Sequence, residues 1–359
     1  MSVSFFPEVF YPAGHDPYGI AAADFNADGN MDLAITVISS GDIAVLLGNG
    51  DGTFQGAVFY STGINPTGIV AADFNGDGKI DLATADSNGR DIAVLLGNGN
   101  GTFQVAMGFA AGSNPISIVA ADFNNDGKMD LSVTDLTTDN AVVLLGDGDG
   151  TFKAPVFYSV DSFPYGIASA DFNGDGNIDL AITNNGNSDI AVLLGNGDGT
   201  FKPAVSYSVG DGPSGIVVAD FNGDGKMDLA VSNYDSMNVA VLLGNGDGTF
   251  QNAVFFPIGS NLEGITAADF NGDGKIDLAV AGGNSNSIAI LLGNGNGTFQ
   301  AAQFFTVGNY ASQMAAVDFN NDGKIDLAVT DTFSSDVAVL INNTQMPKPV
   351  RGIPIWDIL

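Results

Sequence analysis

Short apolar runs alternate along the chain with stretches rich in Gly, Asn and Asp, and the alternation recurs on one fixed period. One period reads as small and apolar residues from Gly68 to Asp73, a polar loop, the run Asp81 to Ala85, a polar turn, the run Asp91 to Leu96, a Gly-rich turn, and a fresh apolar start at Phe103. Runs this short, bounded by Gly, Asn and Asp, are strand signals, and no window carries the spacing of an amphipathic helix. The pattern predicts four short strands per period, joined as an antiparallel meander.

The period is exact in length. The string Asp-Phe-Asn-x-Asp-Gly begins at Asp24, Asp73, Asp122, Asp171, Asp220, Asp269 and Asp318, each step being 49 residues. A second string, Leu-Leu-Gly-x-Gly-x-Gly-Thr-Phe, begins at Leu46, Leu95, Leu144, Leu193, Leu242 and Leu291; the seventh copy departs at Leu340, reading LINNTQ. Four strands in about 49 residues fit a propeller blade, whereas solenoid coils are shorter or helical. The predicted fold is therefore all-β, a seven-bladed β-propeller of four-stranded antiparallel blades over residues 1–345. Phe5, Val9, Phe10 and Tyr11 align one period before Phe54, Val58, Phe59 and Tyr60, which read as a fourth strand, and the last repeat lacks that strand. The N-terminal strand is expected to join the last blade, begun by residues 312–341, and so close the ring and remove two open edges.

The Gly-rich string reads as a hairpin turn, with Gly supplying positive φ and Thr-Phe restarting a strand. Its second variable position alternates between Asp (Asp51, Asp149, Asp198, Asp247) and Asn (Asn100, Asn296), which suits a turn better than a strict metal ligand. Residues 346–359 leave the repeat and are Pro-rich, so they read as a C-terminal tail or linker, the alternative being that 353–359, with Trp356, dock on the propeller.

Charge changes the picture from scaffold to chemistry. The formal net charge is −31, and Glu8 and Glu263 are the only glutamates among 41 acidic residues. Asp is a turn former and a hard-cation ligand, so its dominance points to loops built around metal. With ten Lys and Arg there is no basic patch for nucleic acid, and acidic membranes are disfavoured on the same ground. No Cys is present, which removes disulfides and thiolate zinc sites, and no run is long enough to span a bilayer. The start, MSVSFFPEVF, lacks the basic and apolar regions of a secretory leader.

Each loop reads Asp-Phe-Asn-x-Asp-Gly-x-x-Asp. Oxygen donors at positions 1, 3 and 5, Gly at 6 and a backbone carbonyl at 7 follow the calcium order of an EF-hand. The Glu required at position 12 is missing: Ile35, Thr84, Val133, Ile182, Val231, Val280 and Val329 stand there, inside a strand. The carboxylate at position 9 is expected to serve as a direct ligand instead. The loop DFNGDGKIDL set between two strands in every blade resembles the FG-GAP repeats of integrin α subunits and many bacterial surface proteins. That resemblance implies a propeller with calcium, up to seven ions, held in the hairpin between the first and second strands of each blade. It implies as ligands, the seventh-position residue acting through its carbonyl, Asp24, Asn26, Asp28, Asn30 and Asp32 in the first blade. In the second and third they would be Asp73, Asn75, Asp77, Lys79 and Asp81, then Asp122, Asn124, Asp126, Lys128 and Asp130. The fourth and fifth would use Asp171, Asn173, Asp175, Asn177 and Asp179, then Asp220, Asn222, Asp224, Lys226 and Asp228. The last two would use Asp269, Asn271, Asp273, Lys275 and Asp277, then Asp318, Asn320, Asp322, Lys324 and Asp326. Seven calcium ions would bring the charge from −31 to −17. The resemblance and the need for abundant calcium imply an extracellular, cell-surface or periplasmic setting and an interaction or adhesion scaffold.

The metal face is nearly identical from blade to blade, while the loops of the opposite face differ, so a protein or glycan partner is expected there. Candidate contacts are His15, Tyr18, Arg90, Phe163, Tyr165, Tyr234, Tyr310 and Phe333. The expectation is a monomeric propeller that is not an enzyme, since His15 is the sole His. The alternatives are a lectin-like sugar binder, and a polysaccharide lyase or hydrolase that would have to rely on a carboxylate pair.

Overall fold

The computed structural model describes residues 2–259 and 261–345; the tail, with Trp356, lies outside the described residues. Among the described residues the chain forms 28 strands in seven four-stranded antiparallel sheets, and no helix. Strand β1 (Val9–Pro12) belongs to the last sheet, and the first blade is β2 (Pro17–Ala23), β3 (Asp32–Val37), β4 (Asp42–Leu46) and β5 (Val58–Ser61), each pairing with the next. The five following blades repeat this order. Inner strands of successive blades adjoin around the ring, β2 meeting both Pro66–Ala72 and Ala311–Val317.

The sequence of each strand reports its radial position. β3 is buried at every residue because neighbouring blades cover both of its faces, so it reads as the near-continuous run DLAITV. The outer strand β5 exposes Val58 and Phe59 and turns Tyr60 inward, where its ring meets Phe103 edge-on at 5.4 Å. The inner strand carries a register shift between Pro17 and Ile20, and Gly19 sits in it. A Cβ on Gly19 would stand 2.2 Å from the Thr67 carbonyl oxygen, so glycine is what lets the next blade approach. Thr36 then donates its hydroxyl to that same carbonyl at 2.8 Å. Thr134, Thr183 and Thr330 make the equivalent bond to Tyr165, Ser214 and Tyr18.

The bond from Thr330 to Tyr18 spans the ends of the chain, and β1 completes the closure. It pairs with Asp336–Leu340 in the register Val9 to Val339, and Phe5 bridges to Asn342. Phe5 takes the place that Phe54 and Phe103 hold elsewhere, its ring standing edge-on to Phe305 at 5.0 Å. The expected closure by the N-terminal strand is therefore present.

Where the second strand hands over to the third, two blades place carboxyl groups opposite each other. Asp86 pairs with Asp91 and Asp331 with Asp336. All four carry a buried oxygen with no partner. Burial, then the facing carboxylate, pushes Asp86 up to about 7; burial, then Asp336 and Glu8, does the same to Asp331. The fourth blade resolves the same geometry with an amide, Asn184 donating to Asp189 at 2.8 Å.

These pairs give a signed pH prediction. A carboxyl near 7 in the folded state and near about 4 in the unfolded chain holds an extra proton when folded, so its contribution to stability falls as pH rises between those values. Asp86→Asn copies the Asn184 arrangement, and at pH 7.5 it is expected to stabilise the protein by about 1–2 kcal/mol. The gain should shrink toward pH 4, where Asp86 is already neutral. Denaturant melts of both proteins between pH 4 and 8 check this; a loss of stability at pH 7.5, or a gain independent of pH, contradicts it.

Candidate functional site

The seven Asp loops all connect a first to a second strand and lie on the face that also carries the Gly-rich hairpins. In the first loop the Asp24 carboxylate accepts the backbone N–H groups of Asp28 and Gly29 at 3.1 and 2.8 Å. Asn26 Oδ1 accepts the Asp28 N–H at 2.9 Å, and Asp28 accepts the Asn30 N–H at 2.8 Å. These short side-chain to backbone bonds are the Asx turns that Asp and Asn favour. The chain reverses through positive φ at position 4 and at position 6, which is Gly in every loop. Position 4 is Gly in four loops, Asn125 or Asn321 in two, and Ala27 with φ 59° in the first, a conformation that costs a Cβ-bearing residue about 1–2 kcal/mol.

Position 9 does more than line the loop. Asp32 is fully buried, with one oxygen accepting the Phe25 N–H at 2.9 Å and the other the Gly48 N–H at 2.7 Å. The same double acceptance recurs at Asp81, Asp130, Asp179, Asp228, Asp277 and Asp326. Burial pushes Asp32, Asp179, Asp277 and Asp326 up to about 6, and their own loop's two other Asp carboxylates push the same way. The three carboxylates of a loop are thus close enough to repel one another. Three loops place a Lys beside the fifth position, with Lys79–Asp77 and Lys324–Asp322 at 3.0 Å and Lys226–Asp224 at 3.9 Å.

Among the described residues no three carboxylate or imidazole side chains are drawn into a ready-made metal cluster. The loop's donor set is different: three carboxylates, one amide and one carbonyl, all oxygen, which suits a hard cation. A carboxylate has about four lone-pair sites, so Asp32 keeps two beyond its backbone bonds. The sixth loop supplies a sharper test of fit. Asn271 is fully buried, yet neither its amide oxygen nor its nitrogen has a partner, and a cation held by the loop would satisfy that oxygen. In the Gly-rich hairpin, by contrast, Asp51 Oδ1 accepts both the N–H and the hydroxyl of Thr53, so this position builds a turn.

On the opposite face the structure brings together five of the eight residues singled out in the sequence. Tyr18 and Tyr165 reach across the ring from the first and fourth blades, and their hydroxyls are hydrogen-bonded. Tyr310 donates to the Glu263 carboxylate at 2.9 Å and packs against Phe333, the ring centroids 4.7 Å apart and the planes tilted by 41°. Tyr234 accepts from Asn284 at 3.3 Å and faces Tyr310. Burial raises Tyr18, Tyr165 and Tyr310, Tyr165 to about 12, and Glu263 raises all three further. His15, beside Ser335 at 3.2 Å, lies apart, as do Arg90 and the exposed Phe163 on their turns.

Glu263 is the residue that sequence reasoning missed. Only 8% exposed, it stands on an inner strand where the other blades place Tyr18, Thr67, Ile116, Tyr165, Ser214 and Ser312. Its rarity in an Asp-dominated chain was the available signal.

A family model described as FG-GAP-like repeat matches residues 24–84, 73–133, 171–231, 220–280 and 269–329, each match spanning two consecutive Asp loops. No curated protein matches the chain in sequence. Solved structures are similar in fold. A chain from the structure of BBS1N in complex with ARL6DN is 13% identical, with TM-score 0.69 over 94% of this chain and 96% of that one. Virginiamycin B lyase from Staphylococcus aureus is 16% identical, with TM-score 0.64 over 95% and 99%. An Agrocybe aegerita protein recognising non-reducing terminal N-acetylglucosamine is 21% identical, with TM-score 0.58 over 82% and 80%. Binders and an enzyme share this architecture, so these likenesses speak to the fold alone. The repeated Asp loop and the matches covering most of the chain make this protein a member of the FG-GAP-like repeat family.

Proposed function

We propose that the protein is a calcium-stabilised binding scaffold, with one calcium ion in each Asp loop and a protein or glycan ligand on the opposite face. The observation that carries this reading is the all-oxygen donor set in seven loops, with the orphaned Asn271 amide oxygen in one of them. In the first blade Asp24, Asn26, Asp28, the Asn30 carbonyl and Asp32 would hold the ion, and the equivalent residues would do so in the other six. Bound calcium supplies positive charge between carboxylates that otherwise repel one another. An extracellular, cell-surface or periplasmic setting belongs to the same proposal. So does the absence of catalysis, because the Tyr-rich cluster offers one carboxylate and no imidazole for acid and base work.

A glycan has a specific observation in its favour. It lies at the rim rather than on that face: a groove of about 560 Å³ runs between the outer strands of the third and fourth blades, lined by half-exposed Phe157 and by Asp161, whose carboxylate accepts the Ser206 hydroxyl at 2.6 Å. An aromatic face next to fixed hydrogen-bonding groups is a sugar-binding arrangement. A glycan array is expected to show hits that Phe157→Ala abolishes; hits unaffected by that change, or none, remove the groove from consideration.

The calcium reading has a direct test. A ligand at 100 times its Kd stabilises by about 2.7 kcal/mol per site, and seven sites multiply that figure. Chelation is therefore expected to lower Tm by about 10 °C or more, and added calcium to restore it. A melting curve indifferent to chelator and to calcium would contradict the scaffold role for the metal.

A further inference from the structure

The closing blade departs from the repeat on its outer side. Phe6 stands where the other six blades place Gln55, Gln104, Lys153, Lys202, Gln251 and Gln300, and Glu8 stands where they place Ala or Pro. Phe6 is 56% exposed, so a polar surface position has become apolar. Phe6 and Glu8 line one groove, of about 290 Å³, between the N-terminal segment and the outer strand Gln303–Thr306 of the sixth blade. A cavity of about 150 Å³ holds benzene, so this groove has room for an indole ring.

The chain leaves its last blade beside this groove. Asn343 donates its N–H to the Ser4 carbonyl at 3.0 Å, Ser4 donates its N–H to the Thr344 hydroxyl at 3.0 Å, and Phe6 donates its N–H to the Ile341 carbonyl at 2.9 Å. Gln345, the last described residue, thus follows directly on a bond to the segment that bears Phe6. Residues 346–359 come next and could span about 45 Å fully extended, ample for a groove that Leu340 itself lines. Their composition complements it. Ile353, Ile355, Trp356, Ile358 and Leu359 are apolar, and Lys348 and Arg351 are two of the ten basic residues in a chain of net charge −31. Glu8, alone among the equivalent positions of the repeat, offers those charges a carboxylate. Covering Phe6 with apolar side chains removes both from water, and the opposite charges set the orientation.

We propose that residues 346–359 of this same chain dock in the groove of the closing blade, Trp356 and its isoleucine neighbours covering Phe6, with the Lys348 and Arg351 charges near Glu8. The site has a physical reason to exist. In six blades the outer strand follows its neighbour through the Gly-rich hairpin, whereas β1 is joined to its sheet by non-covalent contacts alone. A tail laid against the residues that lead into β1 fastens the one junction that lacks that covalent link. The inference goes beyond the binding-scaffold reading and depends neither on calcium in the loops nor on a glycan.

Trp356 is the sole tryptophan, so tryptophan fluorescence of the whole chain reports on the tail alone. In calcium-saturated protein the emission is expected at shorter wavelength than in the denaturant-unfolded chain, and acrylamide is expected to quench it several-fold less. Phe6→Gln copies the residue at Gln55 and so suits the fold of a blade; it is expected to move the emission to the water-exposed position, with circular dichroism and Tm recorded to confirm folding. Glu8→Ala, which copies Ala57, is expected to produce part of that shift, as is raising NaCl from about 50 mM to about 500 mM. The short-wavelength emission is expected to persist on dilution of a protein that light scattering shows to be monomeric. Water-exposed emission from the native chain overturns the proposal. So does a short-wavelength emission that survives Phe6→Gln, which puts Trp356 elsewhere on the propeller, or one that fades as a dimer is diluted, which puts it in the groove of a second copy.

Discussion

Each blade depends on one buried carboxylate that ties two hairpins together. Asp32 and its six counterparts accept one backbone N–H from the Asp loop and one from the connection after the third strand, at 2.9–3.1 Å and 2.7–2.8 Å respectively. Hydrogen bonds to a charged acceptor are worth about 1.5–3 kcal/mol each, which offsets part of the cost of burying it. The bond to the loop also fixes where its Phe points. Phe25 leaves the loop toward the next blade, meets Phe103 edge-on at 5.5 Å, and accepts the Gly101 N–H on its carbonyl at 2.9 Å. One residue type at one position therefore sets the order within a blade and the contact between blades.

The seventh junction shows that the constraint survives when the sequence around it changes. The Gly-rich hairpin is lost at LINNTQ, yet the Asn342 N–H occupies the Gly48 role toward Asp326 at 2.7 Å. Its side-chain amide takes over the Gly101 role by donating to the Phe270 carbonyl at 2.8 Å. The missing hairpin strand is replaced by the N-terminal segment, held by the bond from Asn343 N–H to the Ser4 carbonyl. The repeat breaks where the chain ends must meet, and a single Asn compensates for it.

The architecture was legible because the period is carried by residues whose reasons are local. Gly at positive φ, Asp in Asx turns and short apolar runs declare loops and strands one blade at a time, and Phe5 to Tyr11 declare closure by alignment alone. What could not be read depends on distance through space. Tyr18, Tyr165, Tyr234, Glu263 and Tyr310 lie on inner strands and on turns far apart in sequence, and nothing local to Glu263 announces the Tyr310 hydroxyl that donates to it. The cross-strand pairs Asp86–Asp91 and Asp331–Asp336 were hidden for a related reason, as the register decides which polar residues face each other. The ninth-position carboxylate was expected as a metal ligand, and its backbone bonds became visible only with the second hairpin in place.

Amide hydrogen exchange tests the junction account most directly. The N–H groups of Gly52, Gly101, Gly150, Gly199, Gly248 and Gly297, which donate across blade boundaries to Phe carbonyls, report on it one junction at a time. With calcium present they are expected to exchange as slowly as the fully buried second strands, and chelation is expected to release all six together. Rapid exchange at these glycines in calcium, while the second strands stay protected, would contradict the claim that the loops join the blades.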